Sequence, residues 1–234
     1  MRFSRTLRCL IFLASLSVVC SLAAQDIFVT PIPGAPFSGI IHVERSSVQP
    51  DGSVVVLHTV REIGRDSRGR IFNETRQLLP ISNNQTPPLM RVHLYDPQTR
   101  ISTILDPGQR TFWTRTLNRP PATVPPLMQA TPTGGTLPQN DFTRQEDLGV
   151  KDLDGFAAHG VRQIQKIPGE DGKNIAVTDE YWYSDELRIN VLVKHDDPRS
   201  GKVTMRVDQI SRTEPDASRF EIPEGYSPAG AAQE

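Results

Sequence analysis

The chain has 234 residues, of which 37% are hydrophobic, and carries 26 basic against 27 acidic side chains for a formal net charge of −1. That balance excludes the strongly basic surface of a nucleic-acid binder or of a protein held on a broad anionic membrane. The length suits one all-β domain, and a single domain is expected.

Residues 1–24 read as a secretory signal peptide. Arg2, Arg5 and Arg8 make a basic start, Leu10 to Val19 an apolar stretch, and Ser21-Leu22-Ala23-Ala24 a small-residue cleavage site. The mature chain is expected to begin near Ala24 or Gln25, in the periplasm or outside the cell. The apolar stretch falls short of the roughly 20 residues of a permanent span, and no later segment is long and apolar enough to serve. Both cysteines, Cys9 and Cys20, lie in the signal, so no disulfide framework is expected after cleavage. Cys20 invites a lipid-attachment reading, but Ser17-Val18-Val19 before it lacks a leucine at the third place back, and it is read as part of the apolar stretch.

Residues 25–36 form a proline-containing N-terminal segment, and the β domain is expected over 37–226. Phe37, Gly39, Ile41 and Val43 alternate with polar residues up to the turn signal Pro50-Asp51-Gly52. Val54 to Ile63 follows, then Asp66-Ser67-Arg68-Gly69 and a third run from Arg70 to Leu79. A second set comprises Met90 to Tyr95, Ile101 to Leu105 and Thr111 to Leu117, joined at Asp96-Pro97-Gln98 and Asp106-Pro107-Gly108, where proline presets the first turn angle and glycine frees the next. A third set covers Thr143 to Lys151, Phe156 to Ile167, Ile175 to Ser184, Leu187 to Lys194 and Lys202 to Ser211.

No window holds sustained helical spacing. The fold class expected is therefore mainly β, a single curved antiparallel sheet or half-open barrel of about eleven strands with few helices. Residues 118–141 interrupt the pattern with six prolines and Thr133-Gly134-Gly135, which rules out a regular ladder there. That stretch is either a lid laid over the sheet or a linker, with Leu127 and Met128 supplying apolar surface to a lid. A disordered tail is expected over 227–234.

Chemistry is sparse. There is no nucleophile elbow, paired-histidine zinc motif, phosphate loop or dinucleotide fingerprint, so no catalytic residue, metal site or cofactor is assigned. His42 and His58 come near each other across the first hairpin, but two imidazoles without a third ligand make no metal site. His195-Asp196-Asp197 closes a strand, and its aspartates suit the turn that follows. Asn73-Glu74-Thr75 has the glycosylation pattern but falls in mid-strand. The densest apolar features are Tyr181-Trp182-Tyr183 and Phe112-Trp113, read first as core and, if the sheet curls, as lining for a hydrophobic ligand.

Three segments, Asp179 to Ser184, Leu192 to Arg199 and Glu214 to Tyr226, resemble exported bacterial proteins, and the strand count and order resemble the LolA and RseB group of half-open barrels. The resemblance implies a non-enzymatic periplasmic module whose concave sheet holds a lipid, a lipoprotein or a hydrophobic segment. The apolar residues read above, Phe112, Trp113, Leu127, Met128, Tyr181, Trp182 and Tyr183, are its expected contacts. The alternative is a structural or sensory envelope protein that acts through protein contacts alone.

Overall fold

The structure, a computed structural model, describes residues 26–118, 139–169 and 172–230. The expected signal peptide and cleavage site, Leu127 and Met128, and nearly all of the proline-rich stretch lie outside the described residues. Whether that stretch is lid or linker stays an expectation.

Thirteen strands form one open, curved sheet. In chain order they are β1 (Phe37–Val48), β2 (Val54–Arg65), β3 (Ile71–Arg76), β4 (Leu79–Pro80), β5 (Leu89–Asp96), β6 (Ile101–Asp106), β7 (Thr111–Thr116), β8 (Thr143–Leu153), β9 (Phe156–Pro168), β10 (Asn174–Ser184), β11 (Ile189–Asp197), β12 (Gly201–Ser211) and β13 (Ser227–Pro228). Across the sheet they run β13-β7-β6-β5-β3-β2-β1-β12-β11-β10-β9-β8, with β4 beside β2. Every expected run becomes a strand, although the third is split: β3 stops at Arg76, and Leu79 and Pro80 pair separately with β2.

Side-chain capping makes the hairpins. Asp96 Oδ1 accepts from Gln98 N at 2.8 Å, and Asp106 Oδ1 accepts from Gln109 N at 3.0 Å. The left-handed residues that close these two turns are Arg100 and Arg110, with φ of 59° and 53°, and not Gly108 as the turn signal suggests. An arginine there costs strain that glycine would avoid.

Residues directly opposed on neighbouring strands share a face. Ile41 lies opposite both Arg61 and Val207, Val43 opposite both Thr59 and Met205, and Met205 opposite Val193. These define an inner face whose core is Phe37, Ile41, Ile63, Ile71, Val191, Val193 and Val207. The N-terminal segment crosses that face: Ile27 and Val29 are wholly buried in the core, whereas Phe28 between them points to solvent, as an extended strand requires.

Arg65 locks the segment in place. Its side chain is completely buried, yet each guanidinium nitrogen finds a carbonyl: Nε donates to Ala35 O at 2.7 Å, Nη1 to Thr30 O at 2.8 Å and Nη2 to Leu187 O at 2.8 Å. Burial draws its pKa down to about 10, which still leaves it charged at neutral pH. The turn around Leu187 and the N-terminal segment thus close one end of the inner face.

A second, smaller core occupies the outer face of the β3-β5-β6-β7 wing, where Phe72, Leu94 and Leu105 pack with Phe220. Phe220 ends a 3-10 turn, Ala217–Phe220, capped by Asp216, and meets Phe72 edge-on at 5.5 Å. Arg219 pairs with Glu62 and ties the segment to the sheet. The chain then reaches the sheet border, where Ser227 and Pro228 pair in parallel with Thr111 and Phe112. Ser227 and Pro228, placed in the tail by sequence reading, thus pair with the sheet.

The other border, β8, pairs only with β9 among the described strands. It is broken by a bulge between Asp147 and Gly149 and studded with charge, features that discourage edge-to-edge pairing.

Candidate functional site

The half of the inner face away from Arg65 holds a cavity of about 230 Å3. It forms because alternation along β1, β2 and β12 carries Val43, Thr59, Arg61, Val203 and Met205 to one face, while Leu78 between β3 and β4 closes over them. Val43, Leu78, Val203 and Met205 make its apolar floor, and Asp26, Arg45, Thr59, Thr75 and Arg76 stand around it with Arg61.

The charges around the cavity are unevenly matched. Arg61 is ion-paired to Asp26, and Arg76 Nε donates to Glu74 Oε2 at 2.8 Å. Arg45 lines the wall with no ion-pair or hydrogen-bond partner among the described residues. Two further polar atoms are left over: Thr59 is 5% exposed and Arg61 8%, yet Thr59 Oγ1 and Arg61 Nε are buried without a partner among the described residues. Such groups cost about 1–3 kcal/mol each when unmet. One rung further out the face turns polar, with His195 Nδ1 and Asp179 Oδ1 2.8 Å apart.

The aromatic residues expected to contact ligand are scattered. Tyr181 lies opposite Val193 on the inner face but is buried in the core, and burial pushes its phenol up. Trp182 faces the other way, over Gly160, where a Cβ would sit 2.8 Å from two ring carbons. Its Nε1 donates to Glu180 Oε1 at 2.8 Å. Burial pushes Glu180 up, but hydrogen bonds from Trp182, Lys194 and Arg162 outweigh it and hold the carboxyl at about 2. Tyr183 is buried too.

Phe112 belongs to the outer-face core with Phe72 and Phe220, on the opposite side from the cavity. Trp113, opposite Ile104 on the inner face, is 44% exposed with the Arg91 guanidinium 5.9 Å from its ring centre. The structure does not bring the two aromatic groups together, since β7 and β10 lie in opposite wings.

The cavity residues Arg45, Thr59, Arg61, Val203 and Met205 are not picked out by sequence reading. A signal for them exists: Thr59, Arg61 and Arg65 sit at the same parity as Ile63, which places polar groups on a buried face. His42 and His58 share a face but are offset diagonally, His42 opposite Val60 and His58 opposite Glu44. His42 Nε2 instead lies 3.2 Å from Asp208 Oδ1 and His58 Nε2 3.4 Å from Asn83 O. No group of three or more His, Cys, Asp or Glu is placed to hold a metal ion among the described residues. Asp197 plays the turn role expected of it, its Oδ1 accepting from Arg199 N at 2.9 Å.

No protein-family model matches the chain, and no curated protein is significantly similar to it. Among solved structures it is similar to MucB, at 10% identity and a TM-score of 0.39, over 81% of this chain and 58% of that one. It is also similar to a LolA superfamily protein from Nitrosomonas europaea (10% identity, TM-score 0.31, 86% of this chain and 95% of that one). A third is the lipoprotein LppX of Mycobacterium tuberculosis (10% identity, TM-score 0.29, 76% and 88%). The second of these is by name a member of the LolA group that the strand count and order resemble. The chain spans little more than half the length of MucB.

Proposed function

We propose that this chain, exported through residues 1–24, is a non-enzymatic envelope binding protein that shelters an apolar chain of a lipid, lipoprotein or hydrophobic peptide on the inner face of its sheet. The observation that supports this reading is the cavity floored by Val43, Leu78, Val203 and Met205. Apolar walls with a few polar groups at one side are the usual make-up of a small-ligand site. Much of the inner face is already filled by Ile27 and Val29 from the same chain, so the ligand meets this cavity rather than an empty hollow. Trp113, exposed on the same face, extends the proposed track along the β5-β6-β7 wing.

The direct test is uptake of a fluorescent fatty acid by the purified mature protein, together with native mass spectrometry of protein taken from its own envelope. Saturable uptake that is abolished by Met205→Trp, which fills the floor, is expected. No uptake and no co-purifying lipid would remove the reading.

A second reading has one observation in its favour, the border strand β8, with Val150 73% exposed near one end and Phe142 exposed just before the other. A partner strand added there would make this an interaction module without a small ligand. Capture of an envelope protein that is lost with Val150→Pro, from a protein that takes up no fatty acid, would favour it.

A further inference from the structure

Resting on that reading of the cavity, we infer that the site selects amphiphiles by an anionic head, a carboxylate or phosphate, held by Arg45 beside Thr59 and Arg61 while the tail lies on the apolar floor. Three features of the wall carry this. The lining holds three arginines against the single carboxylate of Asp26. Asp26 is engaged by Arg61, and Glu74 engages Arg76, which leaves Arg45 as unbalanced positive charge facing the cavity. Thr59 Oγ1 and Arg61 Nε are donors already shielded from water and unmet among the described residues, so an acceptor oxygen entering the cavity relieves a cost the empty site bears.

The volume restricts what the head can carry. At about 230 Å3 the cavity is smaller than the roughly 300–1,000 Å3 of sites that enclose drug-sized ligands. It admits a head with part of one chain, and not the several chains of a di- or triacylated lipid. The geometry also sets where the head lies. Arg45 pairs across to Leu57 and Val203, Thr59 to Val43 and Arg61 to Ile41, so the three groups stand on successive rungs and the head runs along them while the tail lies on Val203 and Met205.

The test compares displacement of a bound fluorescent fatty acid by dodecanoate, dodecyl phosphate and dodecanol, three ligands with the same tail. Either anion is expected to displace the probe at concentrations about tenfold or more below dodecanol, the ratio a charge-assisted hydrogen bond supplies. The stronger of the two anions tells whether a free fatty acid or a phosphate-bearing lipid is the source. Arg45→Gln, at a partly exposed side chain with no ion-pair or hydrogen-bond partner among the described residues, should fold normally and bring the anions to the level of dodecanol. Equal displacement by all three ligands in the unaltered protein would overturn head selection yet leave the binding function standing. Failure to bind the fluorescent probe at all removes both. Dioleoyl phosphatidylglycerol vesicles should displace it poorly, and efficient displacement by them would contradict the single-chain limit.

Discussion

Arg65 Nη2 donates to the carbonyl of Leu187 at 2.8 Å, joining the end of β2 to the turn that leads into β11. With Nε on Ala35 and Nη1 on Thr30, one side chain fastens the N-terminal segment and that turn to a single point. A buried charge is tolerated here because three carbonyl dipoles replace its water.

Replacing Arg65 with Met removes the donors but keeps the volume, and leaves three sheltered carbonyls unmet. The loss is expected to be about 3 kcal/mol or more, read as a lowered urea midpoint. Arg65→Lys, with one donating nitrogen, should fall between. A change within about 0.5 kcal/mol would mean that the segment is held by Ile27 and Val29 alone.

Gly160 leaves no room beneath Trp182. A Cβ would also meet Leu148 Cβ at 2.9 Å, so Gly160→Val must push the indole off the sheet. Overpacking of this kind costs about 1–3 kcal/mol. Near-ultraviolet circular dichroism should lose the tryptophan signature, whereas Gly230→Val, in open space and without a left-handed backbone, should spare it.

Glu180 links stability to acid. Its ordinary value of 4.5 falls to about 2 in the fold, so its ion pairs stabilise fully above pH 4.5 and that contribution fades as pH drops toward 2. The gap in thermal midpoint between the unaltered protein and Glu180→Gln should therefore be largest at neutral pH and close on acidification. A gap that widens in acid would contradict the ion-pair assignment to Lys194 and Arg162.

Phe220→Ala empties the outer-face core and is expected to cost about 3 kcal/mol. It should also loosen the path to β13, so that the β7 border becomes reactive. Sedimentation velocity at rising concentration should show association in this variant that the unaltered protein lacks.

The strands are legible because each is bounded by an aspartate, glycine or proline turn and alternates between a wet and a dry side, signals that depend only on near neighbours. Leu79 escapes such reading, since the break after Arg76 arises from a bulge in the pairing of Thr75 with β5. Ile27 and Val29 escape it as well: their burial depends on Arg65 and Leu187, far away in the chain, and three residues among prolines carry no periodicity. The cavity is hidden for the same reason. Val43, Arg61 and Met205 meet only through register between β1, β2 and β12, which no local pattern reports. Aromatic density points elsewhere because large rings fill cores more often than they line openings.

Strand pairing at Ser227 and Pro228 leaves the sheet with borders of unequal character. Two equivalent free margins would let copies add without end, each newcomer presenting a fresh margin to the next. Among the described residues, Thr111 and Phe112 of β7 are taken by the chain's own tail, so a copy adding at that margin would first have to displace Ser227 and Pro228. A short carboxy-terminal latch thereby makes one margin of the sheet harder to extend than the other, which works against open-ended growth.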